Sequence, residues 1–252
     1  MRDKISLFCL AFLLCLAPAQ ADPLRVAAAA NLQKAFTEAL LPAFEKKTGV
    51  VVTPTFGSTK ALATQLENGA PIDVFVAADT ATVDKLAGDR ILIASTVHPY
   101  AIGRLVVWTR KDAARHPRRL EDLADLGYAK IAIANPKLAP YGLAAEQALA
   151  HVGLTASVAP RLVQAENIGQ VLQFAQSGNA DAALTALSLV IDDKDDPYVI
   201  VPDSLHAPIT QSLGLVRATT QTTQALQLIN FLLSKDAAKL WKRYGYEMPK
   251  RP

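Results

Sequence analysis

A short apolar strand followed by an amphipathic helix, repeated along most of the chain, is the feature that most narrows the choice of fold. Residues 24–28 read as a buried strand. Leu32, Ala35, Phe36, Ala39, Leu40, Ala43 and Phe44 then recur at helical spacing, with Pro42 set to bend or break that helix and Gly49 placed to end it. Strands at 50–55 and 73–77, a helix marked by Leu62 and Leu66, and a helix at 81–86 complete a first unit. The rhythm restarts with a strand at 104–109 that carries the chain out of that unit, and 130–134, 143–151, 161–164, 168–177 and 182–187 continue a second one. A strand at 212–217 returns to the first unit, which helices at 226–233 and 237–244 close. Such alternation predicts an α/β fold with mostly parallel sheets and helices on both faces.

The N-terminus predicts the compartment. Arg2 and Lys4 precede an apolar run over 5–17, and Ala19-Gln20-Ala21 supplies the small-x-small pattern of signal-peptide cleavage, so residues 1–21 read as a signal peptide and the mature chain as starting at Asp22. The run is well short of the ~20 apolar residues that span a bilayer. Cys9 and Cys15, the only cysteines, fall within this segment, which leaves the mature chain without disulfide or thiol chemistry. Without Arg2, Lys4 and Asp3, 24 of the 26 basic and 22 of the 23 acidic residues remain. That near-neutral balance gives no basic stripe for nucleic acid. The remaining length suits one large domain or two lobes.

Few residues carry the marks of catalysis or metal binding. His98, His116, His151 and His206 stand singly and read as surface or loop residues, and the acidic run Asp192-Asp193-Lys194-Asp195-Asp196-Pro197 lacks the glycine and distant glutamate of a calcium loop and reads as a solvated turn. There is no nucleophile elbow, phosphate-binding loop or dinucleotide fingerprint. Small or hydroxylic residues instead gather where strands give way to helices, at Ala29-Ala30-Asn31, Gly57-Ser58-Thr59, Pro140-Tyr141-Gly142 and Asn167-Ile168-Gly169. Each alone fits an ordinary helix cap. Converging on one cleft, their free N–H groups would bind an anion without a formal positive charge.

At these junctions the chain resembles the periplasmic molybdate-binding proteins that serve an ATP-driven importer. Val26-Ala27-Ala28-Ala29-Ala30-Asn31-Leu32 is similar to that family's first anion loop and Phe56-Gly57-Ser58-Thr59 to its second. Gly69-Ala70-Pro71-Ile72-Asp73-Val74-Phe75-Val76-Ala77-Ala78-Asp79 resembles its hallmark segment, and Ala237-Ala238-Lys239 with Tyr244-Gly245-Tyr246 its C-terminal helix and tail. The resemblance implies a two-lobe periplasmic-binding-protein (Venus flytrap) fold with two crossover strands: 22–103 with 202–252 as one lobe, 104–201 as the other. It also implies that molybdate, and tungstate with it, is held as an oxyanion by Ala30, Asn31, Ser58, Tyr141 and Ile168, without direct bonds to the metal. Ala30 and Ile168 would offer only backbone N–H groups; Ser58 and Tyr141 would add hydroxyls. A monomer with no cofactor, working in the periplasm with an inner-membrane ABC permease and its ATPase, follows from the same likeness. Two departures stand out. The segment Ala183-Leu184-Thr185-Ala186-Leu187 lacks the ligand-binding tyrosine of one group of family members, and Ala30 replaces a hydroxyl found in many relatives.

Alternatives are other oxyanions, such as sulfate, thiosulfate or phosphate, a small organic anion, or an enzyme on the same scaffold. Phosphate is disfavoured because no carboxylate sits in the four loops to receive its proton, and amino acids because no arginine does. Enzymes of this architecture such as the porphyrin-precursor deaminases rely on a cysteine that the mature chain lacks.

Overall fold

The computed structural model describes residues 22–192 and 197–249. Residues 1–21, read above as a signal peptide and holding both cysteines, and the core of the acidic run, residues 193–196, lie outside them. In chain order the strands are β1 (Leu24–Ala29), β2 (Val52–Gly57), β3 (Val74–Val76), β4 (His98–Gly103), β5 (Leu105–Trp108), β6 (Ile131–Ala134), β7 (Leu162–Ala165), β8 (Ala182–Ala186), β9 (Tyr198–Ile200) and β10 (Ile209–Leu215). The α-helices are α1 (Gln33–Ala35), α2 (Leu41–Thr48), α3 (Thr59–Glu67), α4 (Ala81–Gly88), α5 (Pro140–His151), α6 (Thr155–Val158), α7 (Ile168–Gln176), α8 (Leu187–Val190), α9 (Thr222–Leu232) and α10 (Lys235–Arg243).

Two five-stranded sheets form, in the orders β2-β1-β3-β10-β4 and β7-β6-β8-β5-β9. In the first, β1 pairs parallel with β2 and β3, while β10 runs antiparallel to β3 and β4. In the second, β6 pairs parallel with β7 and β8, while β5 runs antiparallel to β8 and β9. Four strands of each sheet therefore share a direction. The reversed strand in each, β10 or β5, is the one on which the chain arrives from the other sheet. The crossings are short: only Arg104 separates β4 from β5, and 201–208 separate β9 from β10.

The expected alternation is present, with differences that have local causes. β4 was not foreseen because it carries Pro99 and ends at Gly103; as an edge strand it tolerates a residue that cannot donate to a ladder. β9, three residues long and half exposed, was too short to register. The expected strand at 212–217 starts earlier, at Ile209, directly after Pro208. Pro42 does not end the helical run, which continues to Thr48. Residues Phe36–Leu40 form a wider π turn directly before α2, the local irregularity with which the run passes a residue that has no N–H to donate. Gly49 ends α2 as foreseen, in the left-handed region at φ 72°, with its N–H bonded to Glu45 O at 2.8 Å.

The closing helices pack on the first sheet. Trp241, fully buried on α10, meets Tyr100 at 5.0 Å, Tyr246 at 5.2 Å and Phe36 at 6.0 Å between ring centroids, and its Nε1 donates to Leu232 O at 3.0 Å. The chain end thus joins its beginning, and the same aromatic cluster backs the turn at Ala30-Asn31, where Tyr246 Oη donates to Asn31 O at 2.9 Å. One side-chain placement departs from expectation: His206, read as a surface residue, is buried beside the second crossing, its Nδ1 2.8 Å from Ala207 O. His98, His116 and His151 are exposed.

Candidate functional site

Adjacent parallel strands end together, so their following turns meet. Ala29 of β1 pairs with Gly57 of β2, and the chain then turns into a 3-10 helix over Ala30–Leu32 on one strand and into α3 on the other. The second sheet repeats the arrangement: Ala134 of β6 pairs with Ala165 of β7, and the chains lead on to α5 and α7. Carboxyl ends of parallel strands are the ligand edge of α/β sheets. Here the two edges face each other. Gly142 permits the close approach on the second side, because a Cβ there would collide with Ala134 O.

A small cavity, partly open to solvent, lies between the edges and is lined by Ala30, Asn31, Ser58, Tyr141 and Ile168 together with Ala78 and Pro140. All five residues singled out from the sequence are thereby brought together, and none is more than 4% exposed. No lysine or arginine lines this space. Among the described residues no group of three or more His, Cys, Asp or Glu side chains could hold a metal ion.

The helix starts differ in how they use their caps. Asn167 caps α7 conventionally, its Oδ1 accepting from Gly169 N at 3.0 Å and Gln170 N at 3.1 Å, so the N–H of Ile168 at the first helical position stays outside the cap. Ser58 holds the equivalent position before α3 but makes no side-chain cap bond, and its Oγ is buried without a partner. An unpaired buried hydroxyl costs about 1–3 kcal/mol, so a ligand that accepts its hydrogen bond would recover that cost. Tyr141 stands in the first turn of α5; burial holds its phenol well above the usual tyrosine range, so it remains a neutral donor.

Asn31 behaves differently from the sequence expectation. Its Nδ2 donates to Gln211 Oε1 at 3.0 Å and to Tyr246 Oη at 2.9 Å, while its backbone O accepts from Ser188 Oγ at 2.8 Å and Tyr246 Oη at 2.9 Å. The amide donors are consumed inside the protein, and the backbone N–H in the first turn is the donor Asn31 has to offer. Sequence reasoning missed Gln211, Ser188 and the role of Tyr246. Ser188 and Gln211 sit in apolar stretches with no local signal, whereas Tyr246 lies in the tail already noted. In the hallmark segment Asp73 is structural, accepting from Arg25 N at 2.8 Å and Thr219 Oγ1 at 2.7 Å; Asp79 accepts from Thr82 N at 2.7 Å at the start of α4. Only Ala78 of that segment reaches the cavity.

Two facing α/β sheets with a cavity of helix starts and neutral donors between them define a solute-binding protein. Residues 24–247 match the family profile described as bacterial extracellular solute-binding protein. The molybdate-binding protein ModA of Azotobacter vinelandii is 37% identical over 90% of this chain and 91% of its own length, and that of Rhodobacter capsulatus 33% identical over 91% and 90%. The solved structure of the Azotobacter vinelandii periplasmic molybdate-binding protein superposes with a TM-score of 0.85 at 32% identity, covering 90% of this chain and all of that one. The chain belongs to the bacterial extracellular solute-binding proteins and, within them, to the periplasmic molybdate-binding proteins.

Proposed function

We propose that the protein captures molybdate in this cavity and delivers it to an inner-membrane ABC permease driven by its ATPase. The buried, unpartnered Oγ of Ser58 at an uncapped helix start carries the reading. Around it the backbone N–H groups of Ala30, Asn31 and Ile168 and the hydroxyl of Tyr141 supply further donors to a tetrahedral oxyanion. Tungstate, of the same shape and charge, is taken as well. The donors are neutral, so selection works through fit: a smaller tetrahedral anion leaves some of them unpaired. The protein catalyses no reaction, needs no cofactor, and works as a periplasmic monomer after cleavage before Asp22.

Residues 22–103 with 202–252 act as one lobe and 104–201 as the other, hinged at Arg104 and 201–208. The two separate sheets support this division, and contacts bridge the parts: Ser188 Oγ reaches Asn31 O at 2.8 Å, Lys60 N reaches Leu138 O at 3.2 Å, and Lys34 Nζ lies 3.5 Å from Asp192. Melting the protein with molybdate, tungstate, sulfate and phosphate at equal concentration tests the assignment. A ligand at 100 times its dissociation constant adds about 2.7 kcal/mol of stability. Molybdate and tungstate are expected to raise the melting temperature while the other two leave it unchanged; equal stabilisation by sulfate would remove the selection by fit.

A further inference from the structure

Gln211, fully buried on β10, is not among the residues that face the proposed ligand, yet three independent features aim it at one that does. Its Oε1 accepts from Asn31 Nδ2 at 3.0 Å and lies 2.8 Å from Tyr100 Oη, whose one hydrogen it shares with Ala77 O at 3.0 Å, which turns its amide nitrogen toward Tyr141, where Nε2 donates to Oη at 3.2 Å. The pairing of β10 with β4 slips between Gln211 and Ser212, a bulge of the kind that re-aims a side chain beside a site. Gly103 on β4 leaves the space for the contact: a Cβ there would collide with Tyr141 Oη and lie 2.5 Å from Gln211 Nε2.

A phenol has a single hydrogen. Because Tyr141 Oη accepts from Gln211, that hydrogen must go elsewhere, and among the described residues no protein group accepts it. We infer that Gln211 is a positioning residue of the anion site, which holds Tyr141 as a hydrogen-bond donor pointing into the cavity. The inference rests on the oxyanion reading of that cavity. An amide suits the task because it orients the phenol without adding charge. A carboxylate at the same place would accept the hydrogen of Tyr141 and repel the ligand.

The test is calorimetric titration of molybdate into the full mature chain and its variants, alone and combined with Tyr141→Phe. Gln211→Met removes the donor at similar volume and is expected to weaken binding about tenfold in the parent, but less than about twofold when Tyr141 is already Phe. Gln211→Glu is expected to lose more than Gln211→Met. If Gln211→Met does not fold, Gln211→Asn, too short to reach Tyr141, serves the same double comparison. Unchanged affinity in the Gln211 variants, or an equal loss in both Tyr141 backgrounds, overturns the inference while the oxyanion reading stands. A parent that does not bind molybdate removes the oxyanion reading itself and the inference with it.

Discussion

Two cavities adjoin where the sheets meet, sharing Ala78, Ala139 and Pro140, and they differ in size and in the rest of their lining. The larger has a volume of about 210 Å³ and is walled by Leu143, Pro208 and Ile209 with Lys60 and Asp79. Its carboxylate is already occupied by the N–H of Thr82, and Lys60 extends into solvent. The smaller has a fraction of the room, but an unpaired hydroxyl and several helix starts converge on it. Volume alone would select the larger. A small anion is held by donors that meet at one point, and shape becomes useful only when the space is close to the ion's own size.

The strongest way to break this contrast is alkali. The smaller cavity is backed by the neutral phenols of Tyr100, Tyr141 and Tyr246, each raised above the usual range chiefly by burial, whereas no tyrosine lines the larger. A raised folded pKa gives stability that is fully present below the unfolded value near 10 and lost as pH climbs above it. Urea unfolding should therefore show a loss of about 1.4 kcal/mol per pH unit for each of the three once pH exceeds roughly 10, and Tyr141→Phe should remove about a third of that slope. A slope unaffected by Tyr141→Phe would mean that this phenol is not kept neutral by the fold.

Binding measurements sharpen the comparison in turn. Ser58→Ala combined with Tyr141→Phe deletes two donors to a charged oxygen, about 3–6 kcal/mol together, and should weaken molybdate binding by a hundredfold or more in titration calorimetry. Ile168→Pro deletes one N–H at a position where proline suits the helix start, and the extended Asn167 before it, at φ −142° and ψ 170°, already has a conformation a following proline allows. It is expected to lose about tenfold with the fold intact, where Ile168→Val loses almost nothing. Lys60→Gln, in the larger cleft, should change affinity by less than about threefold at physiological salt. A larger loss there would place the ligand in the larger cavity.

How much of this was legible in the sequence depends on what kind of interaction placed each residue. Strand and helix alternation is written in local periodicity, so most elements were found to within a few residues. The five cavity residues were legible because helix starts after strands leave free N–H groups wherever they occur, and the resemblance narrowed the choice among them. Gln211 was not legible: its role depends on a bulge, on the missing side chain of Gly103 and on partners up to 180 residues away. Burial of His206 escaped notice for the same reason, since it lies in a crossing whose environment comes from distant segments. Asn31 was found for its place but not for its use, because only the tertiary network shows that its amide hydrogens are taken.

Crystals of the protein grown with molybdate, measured at an X-ray energy where molybdenum scatters anomalously, address the central claim most directly. One strong molybdenum peak is expected in the smaller cavity, with its oxygens within hydrogen-bond distance of Ser58 Oγ, Tyr141 Oη and the N–H of Ile168. A peak in the larger cleft beside Lys60, or none in either cavity at saturating molybdate, would contradict the account.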